Sequence, residues 1–291
     1  MTVQLDVGFV GLGAMGWPMA GHLHRAGLLR AVANRSPDKA VRFAAEHAGV
    51  TAPESLAALA AGCNVVALCV TADADVLGVV RELAAAAQPG LIVVDHSTVS
   101  SDTARQAAAL MRAAGGDFLD APVSGGVEGA KNGRLSVMVG GEPAALERVR
   151  PVLDAYAVRV SAMGPVGAGQ ATKAVNQVFV AGIAQAVCEG LALGEALGLD
   201  PATLLPTLAA GAAGNWFLDK RGATMLRNEF SVGFKLGLLH KDLCIVQGLA
   251  RAAGTDTSVI DKSLADYASL MAEGHGDEDI SALIRLKRPH G

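Results

Sequence analysis

Short apolar runs alternate with stretches of helical periodicity from residue 7 to residue 160. The apolar runs predict strands buried on both faces of a sheet, because such strands need no polar alternation. They cover residues 7–10, 29–33, 64–70, 91–95, 117–121, 135–139 and 158–160. Between them, residues 18–24, 37–48, 55–61, 75–87, 102–114 and 142–155 predict helices. Strands that alternate with helices are typical of an α/β domain with a doubly wound parallel sheet.

The second part of the chain has helical periodicity only. It follows a glycine-rich stretch at residues 164–169 and begins with residues 167–199, which predict one long helix, apolar on nearly every side. Further helices are predicted at residues 201–210, 216–226, 235–253 and 257–273, and a short one at 279–286. We therefore expect two domains: residues 1–163 form the α/β domain, and residues 164–291 form an all-α domain for substrate binding and oligomerisation. The long helix joins them.

The long helix carries three polar side chains near its start. Lys173, Asn176 and Gln177 are spaced by three and four residues, so they share one helical face. A lysine among apolar neighbours needs either a polar partner or a chemical role. The alternative is a lysine whose stem packs at a domain surface while its head stays in water.

Composition and charge exclude several classes of partner. Of 291 residues, 51% are hydrophobic and 18% charged, with a net charge of −4. No basic run suits nucleic acid or an anionic membrane surface. Gln185 and Glu189 interrupt the apolar run of the long helix, so we expect no membrane span. The four cysteines lack CxxC spacing, and no His/Asp/Glu cluster has metal-ligand spacing, so we expect reduced thiols, no metal and a cytoplasmic protein.

A glycine pattern between the first strand and the first helix predicts a dinucleotide site of the Rossmann type. A G-x-G-x-x-G sequence in this context lets the backbone approach a pyrophosphate at the helix N-terminus. The expected cofactor-binding residues of this loop are Gly11, Leu12, Gly13, Ala14, Met15 and Gly16.

The end of the second strand favours NADP over NAD. Enzymes that bind the ribose 2′-hydroxyl of NAD usually have Asp or Glu there. This chain has Asn34, Arg35 and Ser36, of which the arginine can pair with a 2′-phosphate and the serine can donate a hydrogen bond to it. An arginine stacked on adenine is the alternative, and it is compatible with NAD as well.

Polar residues also follow the other strands. Ligands of such sheets lie outside the carboxyl ends of the strands, so Thr71, Ser97, Thr98 and Ser124 are candidates to face the cofactor.

Four sequence motifs occur together: FVGLGAMG at residues 9–16, DAPVSGG at 120–126, GAGQATKAVNQ at 167–177 and KDL at 241–243. With these motifs the chain resembles the β-hydroxyacid dehydrogenase family over essentially its whole length. That family includes 3-hydroxyisobutyrate dehydrogenases, 2-hydroxy-3-oxopropionate reductases and glyoxylate/succinic semialdehyde reductases. Together the motifs are far more specific than the glycine pattern alone.

The resemblance implies roles for individual residues. Lys173 matches the catalytic lysine, and Asn176 matches an amide that assists at the substrate hydroxyl or carbonyl. Ser124, Gly125 and Gly126 match the loop that holds the substrate carboxylate. The other residues expected at the substrate are Gln177, Trp216 and Phe217, although two neighbouring aromatics are as often part of a core. Outside the glycine loop, the residues expected at the cofactor are Asn34, Arg35, Ser36, Val70, Thr71, Thr98 and Lys241.

Elementary chemistry agrees with these implied roles. A hydride that reaches a carbonyl carbon leaves negative charge on oxygen, which a neighbouring ammonium stabilises and can protonate. A Ser-Gly-Gly loop suits a carboxylate, because glycine permits close approach of backbone N–H groups and serine adds a hydroxyl donor. For oxidation, the lysine would have to be neutral to accept the proton.

One position departs from the family pattern. Many relatives have asparagine at both 176 and 177, whereas this chain has Asn176 and Gln177. The difference weakens an assignment to the hydroxyisobutyrate branch and favours the semialdehyde reductases.

We therefore expect an NADP(H)-dependent oxidoreductase for a small β-hydroxyacid or semialdehyde acid, of the 2-hydroxy-3-oxopropionate, glyoxylate or succinic semialdehyde type. The main alternative is NAD-dependent dehydrogenation of 3-hydroxyisobutyrate or serine. Imine reductases usually lack a lysine at the place of Lys173, and 6-phosphogluconate dehydrogenases are longer and carry histidine at the place of Asn176. A non-catalytic nucleotide-binding or interaction protein is a further alternative, but such a protein would not need Lys173, Asn176 and the Ser124-Gly125-Gly126 loop together. The apolar helices also predict a homodimer or homotetramer through the C-terminal domain.

Overall fold

The computed structural model describes residues 4–289 and divides by its contacts into two units, Met1–Lys173 and Ala174–Gly291. The sequence pattern instead suggests a boundary between residues 163 and 164. The division lies inside one long helix, which begins in the first unit and continues into the second.

The first unit is built on an eight-stranded sheet. Its strands are β1 (Val7–Val10), β2 (Leu29–Ala33), β3 (Val65–Leu68), β4 (Ile92–Asp95), β5 (Asp117–Asp120), β6 (Val123–Ser124), β7 (Leu135–Gly140) and β8 (Ala157–Gly164). The order is β2-β1-β3-β4-β5-β7-β6, and β8 pairs with β7. Strands β1 to β5 are parallel to one another, whereas β7 runs antiparallel to β5 and β6. Strand β8 is parallel to β7, so these two strands run opposite to β1 to β5. The mainly parallel sheet followed by a helical unit confirms the predicted fold class.

Helices of the first unit pack on both faces of this sheet. They are α1 (Gly16–Arg25), α2 (Pro37–Glu46), α3 (Leu56–Ala61), α4 (Asp73–Ala85), α5 (Ser101–Ala113), α6 (Gly126–Lys131) and α7 (Pro143–Asp154). Alternate residues of one strand enter separate cores: Val65 and Ala67 belong to one, Val66 and Leu68 to the other. Because both faces of the strand are covered, the apolar runs read from the sequence were continuous.

The second unit is helical. Its helices are α8 (Ala168–Ala196, shared with the first unit), α9 (Pro201–Ala210), α10 (Trp216–Leu226), α11 (Leu236–Ala252) and α12 (Ser258–Ala272), followed by 3-10 turns at His275–Asp277 and Ile280–Leu286. The predicted final helix is therefore a 3-10 segment. Buried Asp279 caps its start and accepts hydrogen bonds from the N–H groups of Gly233, Phe234 and Ser281.

Helix α8 is long and apolar enough to span a membrane by length and hydropathy alone, and 39% of its most apolar 18-residue stretch is buried. Core helices of globular proteins can have the same length and hydropathy. Exposed apolar side chains recur along it at Val175, Phe179 and Ile183, four residues apart, so they share one helical face.

Candidate active site

The glycine loop between β1 and α1 has the shape that a dinucleotide requires. Gly11 has a φ of +97°, and a Cβ there would lie 2.2 Å from the carbonyl oxygen of Cys69. A Cβ on Gly16 would lie 1.9 Å from the carbonyl oxygen of Gly11, whereas one on Gly13 would meet nothing within 4 Å. The first and third glycines therefore let the loop pack on the sheet, and the second leaves the backbone open to an approaching phosphate.

Asn34, at the end of β2, holds this loop through its side-chain amide. Its Oδ1 accepts a hydrogen bond from the backbone N–H of Leu12 at 2.8 Å, and its Nδ2 donates to the carbonyl oxygen of Ser36 at 3.1 Å. A backbone N–H only donates and a carbonyl only accepts, so these two partners determine which way the amide points. The oxygen of Asn34 faces the glycine loop, and its nitrogen faces the start of α2.

Arg35 extends from the same corner into solvent. Its side chain is 86% exposed, and Nη1 lies 3.6 Å from the Asp75 carboxylate at the start of α4. Such an exposed pair is weak, so the guanidinium can exchange this partner for another anion.

Buried hydrogen bonds connect the carboxyl ends of the strands to the first turn of α8. The Ser97 hydroxyl accepts from the N–H of Val70 at 2.9 Å, and the Ser97 carbonyl accepts from Gln170 Nε2 at 2.7 Å. Gln170 Oε1 in turn accepts from the N–H of Val99 at 3.2 Å. These bonds hold the segments that carry Thr71 and Thr98, which follow Val70 and Ser97 in the chain.

Asp120, the last residue of β5, anchors the same turn. Its Oδ1 accepts from the N–H of Gly167 at 2.7 Å, and its Oδ2 accepts from the N–H of Gln170 at 2.9 Å. Burial raises the pKa of the Asp120 carboxyl, and the N–H groups of Gly167, Gln170 and Gly169 oppose that rise. Sequence reasoning assigned no role to Asp120 or Gln170, although both lie inside the recognised motifs.

Lys173 follows one turn later on α8 and is 8% exposed. Its Nζ donates a hydrogen bond to the carbonyl oxygen of Val123 at 3.0 Å. Val123 directly precedes Ser124, Gly125 and Gly126, and the two glycines have φ values of 129° and 62° that other residues rarely adopt. The first unit therefore brings the predicted catalytic lysine to the predicted carboxylate loop.

Asn176, Gln177 and Lys241 belong to the second unit, where they meet through Asp242. Asn176 Nδ2 donates to Gln177 Oε1 at 2.8 Å, and Gln177 Nε2 donates to Asp242 Oδ2 at 2.7 Å. Lys241 Nζ lies 3.0 Å from Asp242 Oδ1. Sequence reasoning did not single out Asp242, which is buried with Gln177.

The two predicted pocket aromatics have different surroundings. Phe217 is buried in the hydrophobic core of the second unit. Trp216 is exposed at the start of α10, with the guanidinium of Arg221 5.6 Å from its ring centroid.

A buried histidine–tyrosine pair lies behind the end of β4, and no sequence pattern indicated it. His96 Nδ1 lies 2.7 Å from the carbonyl oxygen of Ala121, and its Nε2 lies 2.7 Å from the hydroxyl oxygen of Tyr156. Since the carbonyl only accepts, Nδ1 carries the proton and Nε2 accepts from the Tyr156 hydroxyl. Burial lowers the pKa of His96 to about 4, so the ring is neutral.

The four thiols, Cys63, Cys69, Cys188 and Cys244, are free. Burial raises the pKa of Cys63 to about 11 and that of Cys188 to about 12, which makes both poor nucleophiles at neutral pH. Within residues 4–289, no group of three or more His, Cys, Asp or Glu side chains is placed to hold a metal ion.

A glycine loop after the first strand, polar groups at the strand ends and a buried lysine beside a Ser-Gly-Gly loop define a dehydrogenase that uses a nicotinamide dinucleotide. Comparison with known proteins agrees. Residues 6–164 match the family described as the NAD binding domain of 6-phosphogluconate dehydrogenase. Residues 167–287 match the family described as NAD-binding of NADP-dependent 3-hydroxyisobutyrate dehydrogenase.

Similar proteins span the whole chain. An NAD-dependent L-serine dehydrogenase of Pseudomonas aeruginosa is 34% identical, with 98% of each chain covered. A 2-hydroxy-3-oxopropionate reductase of Escherichia coli is 32% identical over 97% of this chain and 96% of its own. A structure of the Mycobacterium tuberculosis 3-hydroxyisobutyrate dehydrogenase with L-serine has a TM-score of 0.87 at 33% identity, covering 99% of this chain and 100% of that one.

The chain belongs to the β-hydroxyacid dehydrogenase family, as its motifs predicted. It is an NAD(P)-dependent oxidoreductase that acts on a CH–OH group. Helix α8, despite its apolar length, lies within the region that matches this family.

Proposed function

We propose that the chain is an NADP(H)-dependent reductase of a small acid that carries an aldehyde or ketone, of the 2-hydroxy-3-oxopropionate, glyoxylate or succinic semialdehyde type. The reverse reaction oxidises the corresponding hydroxyacid. The observation that carries the proposal is the buried ammonium of Lys173, held at the carbonyl oxygen of Val123 immediately before the Ser124–Gly126 loop.

Lys173 is proposed as the general acid of the reduction. The bound cofactor supplies the hydride. Lys173 Nζ stabilises the negative charge that develops on the substrate oxygen and delivers its proton to that oxygen. Burial of Lys173 strengthens this effect, because few waters screen the charge. In the oxidative direction, the neutral amine accepts the hydroxyl proton.

The Ser124–Gly126 loop is proposed to hold the substrate carboxylate. Both glycines have a positive φ that residues with side chains rarely adopt, and the backbone N–H groups of such a loop, together with the Ser124 hydroxyl, suit a carboxylate. Asn176, three residues after Lys173 on α8, is proposed to bind the substrate hydroxyl, and Thr98 and Lys241 are proposed to contact the cofactor.

The proposed preference for NADP rests on the corner formed by Asn34, Arg35 and Ser36. Asn34 accepts from the N–H of Leu12 through its oxygen and donates to the carbonyl oxygen of Ser36 through its nitrogen, so this corner has a neutral amide where NAD-dependent enzymes have a carboxylate. Arg35 adds an exposed positive charge. Both features favour a 2′-phosphate over a 2′-hydroxyl.

NAD-dependent oxidation of L-serine or 3-hydroxyisobutyrate is the second candidate. It is favoured by the similarity to the Pseudomonas aeruginosa enzyme, and Asp75 can neutralise part of the charge of Arg35.

The experiment is a matrix of initial rates, with NADPH or NADH against glyoxylate, succinic semialdehyde and 2-hydroxy-3-oxopropionate, and with NADP or NAD against L-serine and 3-hydroxyisobutyrate. We expect the largest kcat/KM with NADPH and one of the oxo acids. The largest kcat/KM with NAD and L-serine or 3-hydroxyisobutyrate would instead establish the second candidate. No turnover with any acid would contradict both.

We also propose a homodimer or homotetramer that forms through the exposed apolar face of α8, and a cytoplasmic location. The free thiols and the use of NADP(H) are consistent with a reducing compartment.

A further inference from the structure

Four polar side chains of the second unit contact one another in a continuous series of hydrogen bonds and one ion pair. It runs from Asn176 to Gln177 at 2.8 Å, from Gln177 to Asp242 at 2.7 Å, and from Asp242 to Lys241 at 3.0 Å. Gln177 is 1% exposed, so solvent cannot replace its partners. The one amide of Gln177 contacts both Asn176 and Asp242.

Asp242 determines which group donates and which accepts in each hydrogen bond of this series. An ionised carboxylate accepts hydrogen bonds and donates none, and the ammonium of Lys241 compensates its charge. Gln177 must therefore turn its NH₂ group to Asp242 and its Oε1 to Asn176. Asn176 then has to donate through Nδ2, and its Oδ1 points to the other side of the amide.

We propose that Asp242 is a positioning residue that acts through Gln177 to hold the Asn176 amide in one orientation, with Oδ1 as the atom that acts on the substrate. In this orientation Oδ1 accepts a hydrogen bond from a donor such as the hydroxyl of the hydroxyacid. The inference rests on the proposed function, because it states which atom of the proposed substrate amide makes the contact.

The substitution Q177E tests this direction of hydrogen-bond donation through the pH dependence of kcat. It places a carboxyl against that of Asp242, and two carboxylates at hydrogen-bond distance do not both ionise. With one shared proton, the introduced carboxyl still donates to Asp242 and accepts from Asn176. Above the pH at which the proton leaves, kcat should fall about tenfold per pH unit, so the pH profile of Q177E should have a descending limb in addition to any that it shares with the wild type through Lys173. Lys241 contacts Asp242, and Lys173 lies one helical turn before residue 177 on the same face of α8, so both cations shift that pH downward.

The double substitution Q177E/D242N exchanges the carboxylate and the amide. Asn176 still donates to a carboxylate, the introduced amide donates to that carboxylate, and its oxygen accepts from Lys241. D242N alone cannot satisfy both Gln177 and Lys241 in this way, because its one amide oxygen would have to serve both donors. We expect the double variant to recover at least about tenfold in kcat over D242N and to lack the pH dependence of Q177E.

Turnover is measured with NADPH and whichever oxo acid the wild type reduces, and the NADPH dissociation constant is measured by fluorescence titration. A purely structural role for Asp242 predicts that kcat follows the fraction of folded protein, so kcat is compared with the unfolding free energy of each variant. A double variant whose kcat is no better than that of D242N, or a kcat loss in D242N that unfolded protein fully accounts for, would overturn the proposal.

Urea unfolding supplies a second readout that needs no substrate. In Q177E the folded pair binds a proton more tightly than the unfolded chain, so its unfolding free energy should fall as the pH rises from about 5 to about 9. The wild type and the double variant should lack this slope. If the wild type reduces no acid, the proposed function fails while this comparison still tests the series of contacts. Identical pH profiles of unfolding for Q177E and the wild type would overturn it.

Discussion

The backbone N–H of Gln170 donates a hydrogen bond to the buried carboxylate of Asp120 at 2.9 Å, three residues before Lys173 on the same helix. The same carboxylate accepts from Gly167, so one side chain at the end of β5 satisfies N–H groups at the start of α8. Helix N-termini leave such groups without intrahelical partners, and a carboxylate there is favourable. Asp120 thus determines where the first turn of α8 lies, and with it the backbone of Lys173.

The substitution D120N should lower kcat more than it weakens NADPH binding. An amide in place of the carboxylate turns an NH₂ group toward an N–H donor of α8, and a buried donor left without an acceptor costs about 1–3 kcal/mol. We expect a kcat loss of about tenfold or more and a lower midpoint of urea unfolding. D117N, at the exposed start of the same strand, is the control. Wild-type kcat in D120N would show that Asp120 does not position Lys173.

Arg35 should discriminate between the two cofactors. Its 86% exposed guanidinium can pair with a 2′-phosphate, and a charge-assisted hydrogen bond contributes about 1.5–3 kcal/mol. R35A should therefore raise the KM for NADPH about tenfold or more and leave that for NADH nearly unchanged. R42A is the control, since Arg42 stacks on Trp17 elsewhere on the same domain. Equal effects on both cofactors would indicate that Arg35 stacks on adenine.

His96 should make the protein sensitive to mild acid. Its pKa is lowered from 6.5 to about 4 in the folded protein, so between these pH values the unfolded chain binds a proton that the folded one does not. The unfolding free energy should fall by about 3 kcal/mol as the pH drops from 6.5 to 4. H96Q retains an acceptor for Tyr156 and a donor for Ala121, and it should remove this slope.

The control for His96 is H24Q, which removes a histidine from helix α1. H24Q should keep the wild-type dependence on pH. Urea midpoints measured every half pH unit compare the three proteins, and an unchanged slope in H96Q would contradict the assignment.

The exposed face of α8 should mediate assembly. Phe179 is 66% exposed, and Val175 and Ile183 lie beside it on the same helical face. Burying such a face between subunits stabilises an oligomer, so F179E should shift the mass measured by light scattering toward that of the 29.5 kDa chain. V41D, an equally exposed apolar position on α2, should leave the mass unchanged. A monomeric wild type at micromolar concentration would contradict the proposal.

The alternation of apolar runs and helical stretches predicted strands β1 to β5, β7 and β8 because each contains an apolar run of its own. The expectation of burial was wrong for β8, which is longer than residues 158–160 and half-buried to exposed along its length. Strand β6 and helix α6 were missed. Val123–Ser124 is too short to show a period, and it is a strand only because it pairs with Ser136 and Val137 of β7. Such an element depends on a partner that local sequence does not identify.

The candidate site shows the same limit. Lys173 was recognised because a lysine in an apolar helix is conspicuous, but the carbonyl that it contacts belongs to Val123, 50 residues earlier. His96 and Tyr156 are 60 residues apart, and Gln177 and Asp242 are 65 apart. These pairs form only when the chain has folded, so residue type and spacing could name at most one member of a pair: Lys173 and Gln177 were named, whereas His96 and Tyr156 were not.

The substitution K173M tests the chemistry directly. Methionine keeps an apolar stem of similar length and removes the ammonium that donates to Val123. Loss of a proton donor that also stabilises an oxyanion lowers turnover by about 100- to 1000-fold. The NADPH dissociation constant should barely change, because the glycine loop and Arg35 are proposed to hold the cofactor elsewhere in the first unit. Near-normal turnover would return Lys173 to a packing role, and loss of NADPH binding would make it structural.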